Sequence, residues 1–368
     1  MRRRLSQLIW LFSLLVVTTG LVVLYSASFQ NVRVTQDVFY DQAFCAGLGF
    51  LIMLFLSRQD YRKFYELAYV AYGASVILLI LVLLMGRHAL GAQRWFTIAG
   101  VSFQPSEVAK LGLIFGLGRY FCDHKPAGRG SYLSLPEILW SDLILPLVIA
   151  LGPMLLIFKQ PDLGSTLLIF GIFILMLFVS GIRYRYFGGF ILLCLVGMPF
   201  AWHILKQYQK DRLLVFLNPN IDPLGAGYTI IQSKIAIGSG QLFGKGWLSG
   251  TQSQLNFLPE RHTDFIFSVV GEEWGLLGAL FLLFCYFVLI YCGIKIAEQV
   301  KDKFGVQVTV GIMGILTLQV VINIGMVMGM FPVVGITLPL ISYGRTSFMI
   351  FMVMLGFLLS LSRRRTIF

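Results

Sequence analysis

Charge is what this sequence has least of. Only 12% of its 368 residues are charged, against 57% hydrophobic and a mean hydropathy of +0.82. A soluble domain carries about 25% charged residues, so the chain is composed for a bilayer. Cysteine is sparser still. The five (Cys45, Cys122, Cys194, Cys285 and Cys292) lie in or near apolar stretches without C-x-x-C spacing. They read as small core residues, not as disulfide partners or metal ligands. The four histidines show no ligand spacing. No Walker loop, dinucleotide fingerprint or nucleophile elbow occurs, and no soluble domain of any size. There is no internal repeat of the kind many inverted-repeat transporters carry. What these absences leave is chemistry resting on carboxylates and cations, which confines it to acid/base or phosphate-handling reactions.

What recurs instead is the apolar stretch. A hydrocarbon core of about 30 Å takes roughly 20 residues of helix. Stretches of about that length fall near 8–28, 40–56, 67–85, 105–121, 139–157, 164–180, 187–203, 264–291, 306–328 and 344–361. The fold class predicted is an all-α polytopic membrane protein with about ten transmembrane helices, read as one membrane domain over 1–368. A long extracytoplasmic loop, 204–262, separates spans seven and eight. The triple Arg start, apolar run and small residues Ser26, Ala27 and Ser28 have the outline of a signal peptide. Nine further spans make a separate export signal unnecessary, and the segment is read as the first span.

Basic residues set the orientation. With the N-terminus cytoplasmic, 17 of the 29 Lys and Arg fall in inner termini and short loops. They are Arg2, Arg3, Arg4, Arg58, Arg62, Lys63, Arg119, Lys125, Arg129, Arg183, Arg185, Lys295, Lys301, Lys303, Arg363, Arg364 and Arg365. Six of the other 12 lie in the one long loop, where charge has little influence on topology. Both termini are therefore placed in the cytoplasm. The net charge of +12 is a topology signal plus attraction to anionic headgroups. It does not converge on one soluble face, so no nucleic-acid partner is indicated.

The polar residues inside or beside spans gather at the predicted outer ends, where each is a candidate site because a charge there is costly. Span four opens with Gln104-Pro105-Ser106-Glu107-Val108-Ala109-Lys110, which sets Glu107 and Lys110 on one helix face. They form either an internal ion pair or the wall of a polar cavity open to the outside. Lys159-Gln160-Pro161-Asp162-Leu163-Gly164 marks another outer turn, where Asp162 is also a candidate N-cap. Leu258-Pro259-Glu260-Arg261-His262-Thr263-Asp264 ends the long loop and places Asp264 in the first turn of span eight, where an acid also suits the helix dipole. Glu272 and Glu273 lie deeper and need partners; Lys110 is one candidate. The loop itself holds seven glycines and three prolines in 59 residues. A connection of that length is more often functional than filler. Tyr228–Ile237 reads either as a short amphipathic helix on the outer interface or as part of an irregular Gly-rich lid. Its glycines suit a gate that admits a bulky headgroup.

At these clusters the sequence resembles the SEDS family, the RodA, FtsW and SpoVE group, over nearly its whole length. The resemblance rests on GLVVLYSAS (20–28), GAQRWF (91–96), QPSEVAK (104–110), KQPDLGS (159–165), DPLGAGYTIIQSKIAIGSGQLFGKGWLSGTQSQLNFLPERHTDFIF (222–267) and NIGMVMGMFPVVGITLPLISYG (323–344). KQPDLG, the GKGW–GTQSQ segment and LPERHTDFIF look like the elongation branch, RodA. The family commonly continues ISYG with Gly-Ser-Ser, where this chain has Arg345-Thr346-Ser347.

The resemblance implies a peptidoglycan glycosyltransferase that polymerises lipid II into β-1,4 glycan strands during elongation and shape maintenance. It implies a multi-pass protein of the bacterial cytoplasmic membrane, working at its outer face. Asp264 matches the family's essential acid, Glu107 and Lys110 its buried charge pair, and Asp162 its polar residue after Gln-Pro. Arg94, Lys159, Gln160, Glu260, Arg261 and His262 lie in the same motifs as candidate substrate-binding or structural residues. The implied partners are lipid II, a class B penicillin-binding protein transpeptidase and membrane proteins of the elongation complex. Net inversion at the donor sugar is most simply one displacement with Asp264 as general base. The leaving pyrophosphate then needs Lys110, Arg94, Arg261 or a divalent cation (Mg2+ or Mn2+). No cofactor follows from the residues themselves. Without the resemblance, a lipid II flippase fits the same spans and charges equally well, and a non-catalytic scaffold is a third reading.

Overall fold

A bilayer offers no partner to backbone N–H and C=O groups, so an apolar chain crossing it has to be helical. The structure, a computed structural model, describes residues 2–29, 36–89, 92–98, 101–124, 140–223 and 225–363. Lys125, Arg129, Arg364 and Arg365, counted above for orientation, lie outside the described residues. So do Gly91 of GAQRWF and residue 139 at the edge of the fifth span.

The described chain carries thirteen helices. They are α1 (Arg2–Ser28), α2 (Asp41–Arg58), α3 (Arg62–Met85), α4 (Pro105–Asp123), α5 (Leu145–Lys159), α6 (Leu163–Val179) and α7 (Tyr184–Ile204). Then follow α8 (Gln207–Leu217), α9 (Ala226–Gly240), the single turn α10 (Thr251–Gln254), α11 (Ile266–Gln299), α12 (Lys303–Val327) and α13 (Arg345–Arg363). Each of the ten apolar stretches falls on a helix. Seven helices are long and apolar enough to cross a membrane: α1, α2, α3, α5, α11, α12 and α13, with α2 and α5 extended at their starts by a π-helical turn. Apolar α6 and the Tyr184–Phe200 part of α7 are shorter, and α4 carries Glu107, Lys110, Arg119 and Asp123. The chain is a multi-pass helical membrane protein.

Three features depart from the sequence reading. An antiparallel sheet, β1 (Arg87–Ala89), β2 (Ala92–Ile98) and β3 (Val101–Phe103), joins α3 to α4, so the fold is not wholly α. The segment 204–262 is not an open loop: α8, a 3-10 turn at Pro219–Ile221, α9 and α10 occupy much of it, and of the two readings left open for 228–237 the helix is the one found, as part of the longer α9. The eighth span starts later and runs longer than expected, and it is broken at Gly275, whose φ of 65° and ψ of −158° are open only to glycine.

Two interleaved units make up the chain. The first comprises Met1–Ser57, Gln207–Cys292 and Leu316–Leu359; the second comprises Arg58–Lys206, Gly293–Ile315 and Ser360–Phe368. In the second, α3 and α4 approach closely because Gly112 faces Ser75 and Gly116 faces the Tyr72 ring, a small-residue contact suited to helices in lipid. Tyr72 Oη then donates to Ile149 O of α5 at 2.8 Å. In the first, Gly49 lets α2 lie against Phe348 and Met352 of α13, while Tyr286, fully buried on α11, donates to Pro339 O at 2.5 Å.

The break in α11 belongs to the first unit and is closed from outside the helix. Segment 241–246 runs alongside it. Lys245 N and Gly246 N donate to Glu272 O and Glu273 O at 2.9 and 3.0 Å, and Leu276 N and Leu277 N donate back to Gln241 O and Leu242 O at 2.9 and 3.2 Å. A Cβ at position 275 would lie 2.7 Å from Leu242 O. Gly275→Ala should therefore lower stability by at least about 2 kcal/mol, from backbone strain plus overpacking. Thermal unfolding in detergent measures it, and an unchanged midpoint would contradict the account.

Candidate active site

Asp264 lies two residues before α11, not in its first turn, so the dipole argument weakens and something else must hold it. The turn from Glu260 to Phe265 closes locally on one carbonyl. Glu260, at φ 50°, accepts from Thr263 N at 3.1 Å and Phe265 N at 3.2 Å. Three successive carbonyls of the same turn are taken by the second half of the unit. His262 O accepts from Tyr343 N at 2.9 Å, Thr263 O from Ser342 Oγ at 2.5 Å, and Asp264 O from Asn323 Nδ2 at 2.8 Å. Ser342 Oγ in turn accepts from Leu338 N at 2.8 Å. The carboxylate itself is half-buried. A Cβ on Gly335, a residue whose φ is +71°, would stand 3.5 Å from Asp264 Oδ2, so the carboxylate faces a position without a side chain.

The neighbours predicted with Asp264 divide in role. Arg261 Nε donates to Ala27 O of α1 at 2.5 Å and a terminal nitrogen reaches Asn256 Oδ1, so its guanidinium ties the turn to the first span. Burial lowers its pKa from the ordinary value. Exposed Glu260 receives the Thr263 hydroxyl at 3.2 Å. His262 stacks edge-on to Tyr343, and burial holds its pKa below the ordinary 6.5 despite the opposing pull of Glu260. It is therefore neutral at pH 7 and supplies no cation there. Arg345, the departure from the family pattern, pairs with Asp41 at the start of α2.

Deeper in the same unit, fully buried Glu272 receives Lys245 Nζ at 3.0 Å, Thr251 Oγ1 at 3.1 Å, and the backbone N–H groups of Gln252 and Ser253 at 2.9 and 3.2 Å. Its partner is Lys245, not Lys110. Glu273 receives the Ser26 hydroxyl of α1, and Gln254 Nε2 donates to Ser26 O at 2.9 Å.

The second unit holds the remaining candidates. On α4, Lys110 pairs with Glu107 at 2.6 Å; both are buried, and Glu107 Oε2 has no hydrogen-bond partner among the described residues. Asp162 is the N-cap of α6, accepting from Ser165 N and Ser165 Oγ at 3.0 Å each. Arg94 on β2 lies 4.0 Å from that carboxylate and donates to Gln160 O at 3.0 Å and to Pro161 O. Buried Gln160 donates to Leu79 O at 3.3 Å, and Lys159 is exposed on the last turn of α5. Each of these cations thus already holds a backbone or carboxylate partner, except Lys159, for which only the exposed position is described.

Sequence reasoning passed over Asn323, Ser342, Lys245, Ser26 and Asp41. For Asn323 the signal was present, since it is one of three buried amides, with Gln307 and Gln319, in the otherwise apolar run of α12. For Lys245 and Ser26 no local pattern gives the pairing, which is set by tertiary contact.

The comparisons with known proteins agree with one another. The sequence profile FTSW_RODA_SPOVE, described as cell cycle protein, matches residues 6–367. The chain is 40% identical over 365 residues to the peptidoglycan glycosyltransferase MrdB of Escherichia coli K12, covering 98% of this chain and 93% of that protein. It is 30% identical to the peptidoglycan glycosyltransferase RodA of Treponema pallidum, covering 98% of each. Among solved structures, it matches a chain from work on "structural coordination of polymerization and crosslinking by a peptidoglycan synthase complex" with a TM-score of 0.79 and 34% identity, over 96% of each chain. The rod shape determining protein RodA of Thermus thermophilus matches with a TM-score of 0.70 and 33% identity, over 96% of this chain and 95% of that one.

The state of His262 gives a measurable sign. As pH falls through about 6.5 the unfolded chain takes up this proton before the folded one, so the folded state loses stability until pH passes below the depressed value. Between pH 7.5 and 5.5 the melting temperature should fall more for the wild type than for His262→Gln. Parallel curves for the two proteins would count against a buried neutral imidazole.

Proposed function

Because the chain belongs to the FtsW/RodA/SpoVE family, we infer that it is a peptidoglycan glycosyltransferase of cell elongation, polymerising lipid II into β-1,4 glycan strands. In this reading a hydroxyl oxygen, the 4-OH of the acceptor sugar, attacks the anomeric carbon of a donor α-linked to undecaprenyl pyrophosphate. The new C–O bond forms as the bond to pyrophosphate breaks, and the leaving group departs with the electron pair. Asp264 accepts the hydroxyl proton. The observation that carries the assignment is the clasp: three consecutive backbone carbonyls at 262–264 are each held from another segment, which fixes a carboxylate in a turn that has no helix to fix it.

An ordinary carboxylate is a weak base at pH 7, and general-base catalysis contributes about 10²–10⁴-fold. The rest comes from orientation and from neutralising the departing charge. Arg261, three residues before Asp264 in sequence and in the same unit, is the candidate for that charge. No three of His, Cys, Asp and Glu converge among the described residues, and no step here runs through a metal. A divalent cation (Mg2+ or Mn2+) enters only as the counter-ion a pyrophosphate carries with it.

The basic-residue bias supports both termini in the cytoplasm, which sends the Asp264 turn to the outer face of the cytoplasmic membrane. A class B penicillin-binding protein transpeptidase is the proposed partner, together with membrane proteins of the elongation complex. It is supported by the likeness to a chain from a synthase complex that polymerises and crosslinks.

Purified Asp264→Asn protein should lose polymerisation of lipid II by at least about 10²-fold while melting as the wild type does. Polymer made at the wild-type rate by that variant sinks the base assignment. Headgroup translocation in vesicles with no polymer from the wild type would instead make the protein a flippase.

A further inference from the structure

Asn323 stands fully buried on α12, a helix whose backbone needs nothing from it. An amide in an apolar span is costly, and a leucine of similar size would fill the place more cheaply. What the amide does is visible in its two N–H groups. One donates to Asp264 O at 2.8 Å and the other to Ile336 O at 2.7 Å. These two acceptors also fix which end of the amide is nitrogen, since the reverse assignment would set oxygen against oxygen. Its own Oδ1 is left buried with no hydrogen-bond partner among the described residues. The side chain therefore sacrifices its acceptor to use both donors.

The two carbonyls it joins bear on one carboxylate. Asp264 O belongs to the acid's own peptide. Ile336 follows Gly335, where a Cβ would stand 3.5 Å from Asp264 Oδ2, so the lack of a side chain there leaves the carboxylate its place. One amide thus ties the backbone at the root of the Asp264 side chain to the segment that follows Gly335, next to its carboxylate. We propose that Asn323 is the positioning residue of the reaction, holding the Asp264 carboxylate at the angle and distance from which it takes the acceptor proton. This rests on the reading of Asp264 as base, and it assigns Asn323 no contact with substrate. A misplacement of about 1 Å in such a group costs about 10²-fold in rate, without altering how the bulk of the substrate is bound. Asn323 therefore acts on kcat and not on KM.

The test is steady-state polymerisation of purified lipid II by full-length Asn323→Asp, which keeps the shape and loses both donors, and by the milder Asn323→Ser, which retains one. Hydrogen–deuterium exchange is followed over 258–268 and over the other spans. The expected result is a kcat lower by about 10- to 100-fold for Asn323→Asp, a smaller loss for Asn323→Ser, and KM within about twofold in both. Exchange should rise at 262–265 and stay unchanged in α2 and α13. Either folded variant working at the wild-type kcat, with Asp264→Asn inactive, overturns the proposal and leaves the base standing. An active Asp264→Asn protein overturns the base itself. A rise in KM equal to the loss in kcat/KM, or exchange raised throughout the first unit, makes Asn323 a structural residue only. If Asn323→Asp does not fold, Asn323→Ser carries the same comparison.

Discussion

A helix crossing a bilayer must have every backbone hydrogen bond closed within protein, and α11 does not close its own at Gly275. The cost of leaving those groups unpaired in apolar surroundings is several kcal/mol each, so a second piece of chain is obligatory there. Segment 241–246 meets that need, donating two N–H groups to α11 and receiving two from it. Once it is laid down, the neighbouring residues follow. Lys245 reaches Glu272, the start of α10 caps onto the same carboxylate, and Gln254 meets Ser26 of α1. The segment 241–254 is thereby fixed, and the turn bearing Asp264 begins from an anchored base.

That turn is held by the same logic in miniature. Its carbonyls at 262, 263 and 264 are not spent in a helix, and a backbone N–H, a serine hydroxyl and an asparagine amide take one each. A single hydrogen bond of this kind contributes about 1 kcal/mol net. Three in succession, on adjacent peptides, remove the hinge motions that each alone would leave. With Asp264 as the proposed base, this is where the advantage lies. An aspartate gains little from proton affinity at neutral pH and much from standing where the proton is given up.

The helical membrane fold was legible because the apolar stretches are long and the bilayer admits few alternatives. The turn-forming and capping residues were legible too: Asp162 caps α6 as its Asp-Leu-Gly context implied, and Glu107 meets Lys110 at i,i+3. The sheet at 87–103 was not, since its strands are short and carry no clean alternation beside such dominant spans. Nor was the break in α11, because a lone glycine in a helix is usually tolerated and only the partner segment reveals it. Pairings across long sequence separation, Glu272 with Lys245 and Asp41 with Arg345, leave no local trace. The last of these explains how Arg345 is accommodated where the family commonly has a small residue: a carboxylate at the start of α2 meets it.

Three of the five glycines in 238–250, Gly240, Gly244 and Gly250, now carry a different meaning. Composition suggested flexibility and a gate, but the backbone geometry points to close approach. Gly240 lies against Gly271 O, Gly244 against Glu273 O, and Gly250 beside Glu272 and Ser253. A side chain at any of these would meet backbone or a buried carboxylate, so glycine is required by contact and not by motion. A segment bonded to a broken span on one side and to a fully buried glutamate on the other has little freedom to swing. Whatever must move to admit a lipid-linked sugar has to be sought elsewhere than in 241–254. The loop that looked most like a lid is, on its hydrogen bonds, part of the frame that keeps Asp264 still.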